Sequence, residues 1–80
     1  MERLSRNERY KIVQRKIQEA FEESQILKRE LQSWLDNMPE NLKSSERGQA
    51  IEEAIAQLYE VCDNLAYALA EDIYFPGAYD

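Results

Sequence analysis

The stretch LDNMPENLKSSERG, residues 35–48, separates two long amphipathic patterns and decides the fold. Pro39 disfavours helical geometry at the residue before it and cannot continue an intrahelical hydrogen bond, so a helix must end there. Ser44 or Ser45 can then cap a second helix, because a serine hydroxyl accepts from the free N–H groups of a first turn. The stretch therefore predicts a loop at residues 38–45 between two helices.

Before the loop, residues on one helical stripe recur in alternating steps of three and four, which is the spacing of a coiled-coil or bundle seam. The stripe contains Tyr10, Val13, Ile17, Ala20, Ser24, Leu27, Leu31, Trp34 and Met38. Only Ser24 is polar, and Phe21 and Leu35 widen the stripe as a bundle helix requires. This pattern predicts a helix over residues 5–37.

After the loop, a second apolar stripe predicts a helix over residues 46–73. Its members are Ile51, Ile55, Leu58, Cys62, Leu65, Leu69 and Ile73, with the small residues Ala54, Val61 and Ala68 beside them. We interpret Cys62 as a small buried apolar residue, since no histidine is present to activate it as a nucleophile. Residues 74–80 form an aromatic tail, which Pro76 and Gly77 keep out of the helix.

Two long amphipathic helices with a short connection predict an all-α fold, an antiparallel two-helix hairpin in one domain spanning residues 1–80. The charge distribution agrees with this topology. Residues 1–16 carry six basic and two acidic groups, and residues 38–80 carry two basic and nine acidic groups. Because one hairpin leaves apolar surface uncovered, we expect a homodimer that forms a four-helix bundle.

Composition argues against several classes of function. One cysteine and no histidine provide neither a disulfide nor a zinc site, so we expect no metal, no cofactor and no catalytic residue. No apolar run approaches the ~20 residues of a membrane span, and the N-terminus has no signal-peptide pattern. We therefore expect a cytoplasmic protein without membrane contact. Basic residues at the N-terminus are spread around the helix in an acidic chain, which disfavours nucleic acid as a partner.

Partner-binding candidates lie on the second helix and in the tail. The acids recur on the outer side of the helix, where the plain alternative is an ordinary solvated face. The aromatics either cover the end of the bundle or anchor a partner, since interface hot spots favour tyrosine. The candidates are Glu52, Glu53, Glu60, Asp63, Glu71, Tyr74, Phe75 and Tyr79.

The loop and the second helix resemble small helical proteins of unassigned function from bacteriophages and prophages of Gram-positive bacteria. The resemblance covers residues 35–70 and is carried by Asp36-Asn37-Met38-Pro39-Glu40-Asn41-Leu42, Ser45-Glu46-Arg47 and Glu52-Glu53-Ala54-Ile55. It implies a phage setting in a bacterial host cell and no known activity, so no site residue is carried over. With the acidic helix, it favours a non-catalytic accessory protein that binds and inhibits a bacterial host or defence protein, such as an anti-CRISPR-type inhibitor. A helical-bundle scaffold and a small nucleic-acid-associated phage protein are the alternatives.

Overall fold

The protein folds as two long helices joined through one short helix in a computed structural model that describes residues 4–76. Helix α1 spans Arg6–Asp36, α2 spans Glu40–Lys43 and α3 spans Glu46–Ala70. The two long helices pack against each other and α2 packs on α3, with no strand among the described residues. This confirms the predicted all-α class.

The helices run antiparallel, as contacts at two levels of the hairpin show. The Tyr10 hydroxyl of α1 donates a hydrogen bond to the main-chain oxygen of Glu71, at 3.1 Å. Further along, the Lys28 ammonium lies 3.9 Å from the centre of the Tyr59 ring. Because residue numbers rise along α1 while those of the facing residues fall, the two helices form a hairpin.

The turn differs from the predicted loop in containing α2, which begins directly after Pro39. Of the two candidate serines, Ser45 is the cap of α3: its hydroxyl accepts from the Gly48 N–H at 3.4 Å and donates to the carbonyl oxygen of Leu42. Ser44 contacts only carbonyl oxygens of α2. At its other end α3 stops at Ala70 instead of residue 73, and the chain is extended from Glu71.

Gly48 is buried in the first turns of α3, where α2 and α3 come closest. A Cβ atom at this position would overlap the carbonyl group of Lys43 and lie 2.7 Å from the carbonyl oxygen of Leu42. Both neighbours are backbone atoms and cannot rotate away as a flexible side chain would. The corner between α2 and α3 therefore requires glycine.

The core lies mainly on α3. Ile51, Ile55 and Cys62 are buried, as the second stripe predicts, whereas no described residue of α1 is fully buried. Cys62 is a free thiol in this core. Leu58, Leu65 and Leu69 are half-buried along the same stripe. The first helix covers this stripe from one side only, so the hairpin has a thin core.

The seam predicted on α1 is only half correct. The half-buried row that includes Tyr10, Ile17 and Leu31 faces α3, but the second inward row contains Gln14, Phe21, Lys28 and Leu35. The predicted members Val13, Ala20, Leu27 and Trp34 are exposed instead. Phe21 and Leu35 thus belong to the seam that they were expected only to widen.

We expect Gly48→Ala to lower the free energy of unfolding by about 1–3 kcal/mol, the usual range for overpacking. Alanine has a higher helix propensity than glycine, so propensity alone predicts that the substitution raises the free energy of unfolding. Urea unfolding at fixed protein concentration, followed by far-UV circular dichroism, measures the difference. Gln49→Ala at the exposed neighbouring position is the control. A Gly48→Ala protein as stable as the wild type would contradict the close approach.

The two serines of the turn give a second prediction. Ser45→Ala removes an N-cap and should lower the free energy of unfolding by about 1 kcal/mol. The Ser44 hydroxyl caps no N–H group, so Ser44→Ala should change the free energy of unfolding by less than about 0.5 kcal/mol. Equal losses in parallel urea titrations would show that Ser45 is not the effective cap.

Candidate interaction surface

An uncovered apolar face runs along one side of the hairpin. On α1, Val13, Leu27 and Trp34 keep 45%, 46% and 50% of their surface exposed. Ala20 is exposed between them. On α3, Val61 is 42% exposed. We call these five residues the apolar face.

Helix geometry places these residues on the same side of the molecule. On α1 each of them lies three positions after a residue of the inward row, and Val61 lies three positions after the inward Leu58. The inward row consists of Tyr10, Ile17, Ser24 and Leu31. In an antiparallel helix pair, residues that follow the inward residues by three positions lie on the same side of both helices. The two helices therefore contribute to one continuous apolar surface.

The hairpin is a single layer of helices. Its dimensions are 64 × 23 × 14 Å, so the shortest is close to the diameter of one α-helix with its side chains. Domains normally bury apolar stripes between at least two layers of secondary structure. The apolar face is the side on which such a second layer is missing.

A row of charged residues borders the apolar face on the outer side of α1. Arg9 and Lys16 lie toward the start of the helix, and Glu23 and Glu30 follow at the same spacing of seven residues, or about 10 Å. All four side chains are exposed. Within residues 4–76, none of them forms an ion pair. This charged row is positive in one half and negative in the other.

An open groove lies at the start of α1, where the tail returns to the helix. Its volume is about 510 Å³, within the range of small ligand sites. Its lining combines aromatic and aliphatic side chains with basic groups, and consists of Arg6, Arg9, Tyr10, Ile12, Val13, Lys16 and Phe75. The groove opens on the side of the apolar face, since Val13 belongs to both.

The acidic candidates form an exposed outer face on α3. The side chains of Glu52, Glu53, Glu60 and Asp63 are exposed, and Glu71 is exposed at the end of the helix. Glu53, Glu60 and Asp63 share the side that points away from α1, because residues three or seven positions apart lie on the same face of a helix. In the described part of the chain their carboxylates form no ion pair. The sequence placed these residues correctly at the surface.

The aromatic tail has two different environments. Phe75 is half-buried and stacks edge-on against Tyr10, with ring centres 5.6 Å apart and planes at 61°. Tyr74 is 81% exposed. Phe75 thus covers the end of the hairpin, and Tyr74 is free to contact a partner. Tyr79 lies outside the described residues.

Sequence reasoning missed the residues that tie the tail to α1. Tyr10 and Gln14 both donate side-chain hydrogen bonds to the Glu71 main-chain oxygen, Gln14 at 3.5 Å. This link occupies the junction where the basic start of α1 meets the acidic end of α3. In the sequence, the one indication of this link is Tyr10, the aromatic residue at the start of the first apolar stripe.

No protein-family model, curated protein or solved structure matches this chain. The resemblance to phage proteins therefore stays a prediction. None of the helices within residues 4–76 combines the length and apolar character needed to cross a bilayer. The same residues contain no group of three or more metal-ligating side chains.

The two described tail aromatics allow a matched test. Phe75→Ala should lower the free energy of unfolding by about 1–3 kcal/mol, because it removes both the ring contact with Tyr10 and the apolar surface that a half-buried phenylalanine covers. Tyr74→Ala should change it by less than about 0.5 kcal/mol, because that side chain is exposed. Thermal unfolding of both variants measures the difference. A larger effect from Tyr74 would reverse the assigned roles.

Proposed function

We propose that the protein is a non-catalytic protein–protein interaction module. The apolar face, left uncovered along a hairpin one layer thick, is the observation that carries this proposal. Contiguous apolar surface on a small soluble domain marks an interaction site, because burying it from water is favourable. The predicted four-helix bundle would cover this face with a second hairpin.

The acidic outer face of α3 is a second, independent surface of the module. Its carboxylates are exposed and form no ion pairs within residues 4–76, so a basic partner surface would meet negative charge not already neutralised. Electrostatic complementarity of this kind speeds association and gives specificity. Exposed Tyr74 adds an aromatic side chain of the type found at interface hot spots.

The specific form of the proposal is a phage accessory protein that binds and inhibits a bacterial host or defence protein, such as an anti-CRISPR-type inhibitor. Two features support it: the exposed acids of α3 and the resemblance of the loop and second helix to phage proteins. Bacterial cytoplasm is the compartment in which such an inhibitor would act. A helical-bundle scaffold is the alternative, and it predicts self-association without a target.

An affinity pull-down from Gram-positive bacterial lysate tests the inhibitor form. We expect the tagged wild-type protein to retain a stoichiometric bacterial protein. The variant Glu53→Lys/Glu60→Lys should retain at least about tenfold less, because it replaces attraction by repulsion. Glu19→Lys/Glu22→Lys, with the same charge change on α1, is the control and should bind as the wild type does.

Two outcomes would contradict the inhibitor form. Equal capture by all three proteins would reject the acidic face as the target surface. No captured protein with any of them would favour the scaffold. A salt-sensitive gel shift with nucleic acid, lost in Arg15→Glu/Lys16→Glu, would instead support the nucleic-acid-associated alternative.

A further inference from the structure

We propose that a second copy of this chain covers the apolar face. Its α1 lies antiparallel to the first α1, its charged row pairs with the charged row of the first copy, and its Trp34 enters the groove beside Phe75. The inference rests on the proposed function, since it names the partner of the same apolar face.

The dimensions of the hairpin suit a second hairpin as the missing layer. The broad face measures 64 × 23 Å, ample for the ~800 Å² per partner that standard interfaces bury. Stacking two such layers gives the two-layer architecture that single domains normally have. A closed two-fold dimer also uses the same patch on both copies, so it leaves no apolar face exposed.

The charged row determines the relative direction of the two helices. In an antiparallel pair centred near Ala20, Lys16 of one copy lies opposite Glu23 of the partner subunit. Arg9 likewise lies opposite Glu30 of the partner subunit. Two-fold symmetry repeats both pairs, so every charge of the row meets an opposite charge. Ala20, at the crossing point, is small enough for a close approach of the two helices.

Other arrangements lack this complementarity. Parallel α1 helices in register would place Lys16 against the partner's Lys16, and Glu23 against the partner's Glu23. Stacking α1 on the partner's α3 would set the charged row against residues of that helix that carry no charge. These residues are Ala50, Gln57 and Asn64 of the partner subunit. The antiparallel pairing of α1 with α1 is therefore the arrangement that the charges favour.

The same register brings Trp34 to the groove. Helical side chains lean toward the N-terminus of their own helix, so Trp34 covers surface near the turn before it. In the antiparallel register that surface lies opposite Arg9 and Tyr10 of the other copy, which line the groove with Phe75. The indole would gain aromatic contacts and a cation–π contact with the guanidinium of Arg9.

A charge-compensation series tests the pairing, with mass and dissociation constant measured by sedimentation equilibrium in low salt. We expect the wild type to have twice the 9.5 kDa mass of one chain. Lys16→Glu and Glu23→Lys should each weaken the dimer about tenfold, since each converts two attractive pairs to repulsive ones. The double variant Lys16→Glu/Glu23→Lys restores opposite charges and should regain wild-type affinity to within about threefold.

Neighbouring residues supply matched controls. Arg15→Glu and Glu22→Lys make the same charge changes one position earlier, on the side of α1 away from the charged row, and should leave the dissociation constant unchanged. Parallel in-register helices predict a different result, because each single reversal would merely exchange one like-charged pair for another.

Trp34 provides an independent signal because it is the only tryptophan. Its emission should shift to shorter wavelength as the dimer forms, since half of its surface is exposed in the single hairpin. Trp34→Ala should weaken the dimer at least about tenfold, as an interface anchor does. Tyr67→Ala, at an exposed position on α3, is the control and should leave the dimer intact.

A wild-type protein that stays at 9.5 kDa at every concentration would overturn the inference. Single reversals without effect, or a double variant that does not recover, would overturn the antiparallel register. These outcomes are separate from a failure of the proposed function. The mass measurement varies α1 and needs no target, whereas the pull-down varies α3 and detects the target directly.

Discussion

The close approach of Gly48 to the carbonyl groups of Leu42 and Lys43 is the contact on which the hairpin depends. It sets where α3 starts relative to α2, and the buried residues Ile51 and Ile55 follow within the next two turns. A side chain at this point would push α3 away from the corner and open the core beside it. From this corner the two long helices pack along each other, and the hairpin ends at the contact between Tyr10 and Phe75.

A thin core leaves the hairpin with more apolar surface than its own packing uses. α1 carries three adjacent rows that contain apolar residues, and α3 covers two of them. The two rows that face α3 include Gln14 and Lys28. The Gln14 amide reaches the main-chain oxygen of Glu71, and the Lys28 ammonium lies over the Tyr59 ring. The row with Leu27 and Trp34 stays exposed as a result. The proposed function and the proposed dimer both start from this unused row.

Charge has a different role on each long helix. Along α1 the sign changes from Arg9 and Lys16 to Glu23 and Glu30, a pattern that two antiparallel copies can satisfy mutually. Along the outer side of α3 the exposed charges are acidic, so a second copy of the same face would repel it. The two surfaces are therefore suited to different partners: α1 to its own copy, and α3 to a basic surface on another protein.

The sequence by itself determined the local features. Pro39 and a serine cap at position 44 or 45 mark the boundaries between helices, because capping and helix termination depend on neighbouring residues. The structure then selected Ser45 as the cap. The single inward stripe of α3 was equally clear, since Ile51, Ile55 and Cys62 have no competing apolar row of similar strength. The exposure of the acids on α3 followed from the same periodicity.

Only the tertiary structure decided which rows of α1 face α3, because the inward row with Gln14 and Lys28 is less apolar than the row with Leu27 and Trp34 that stays exposed. Packing against a partner helix resolves such a choice, and the partner is distant in sequence. The need for glycine at position 48 and the split roles of Phe75 and Tyr74 have the same origin. Each depends on a contact that forms only when the chain has folded back on itself, so no local pattern encodes it.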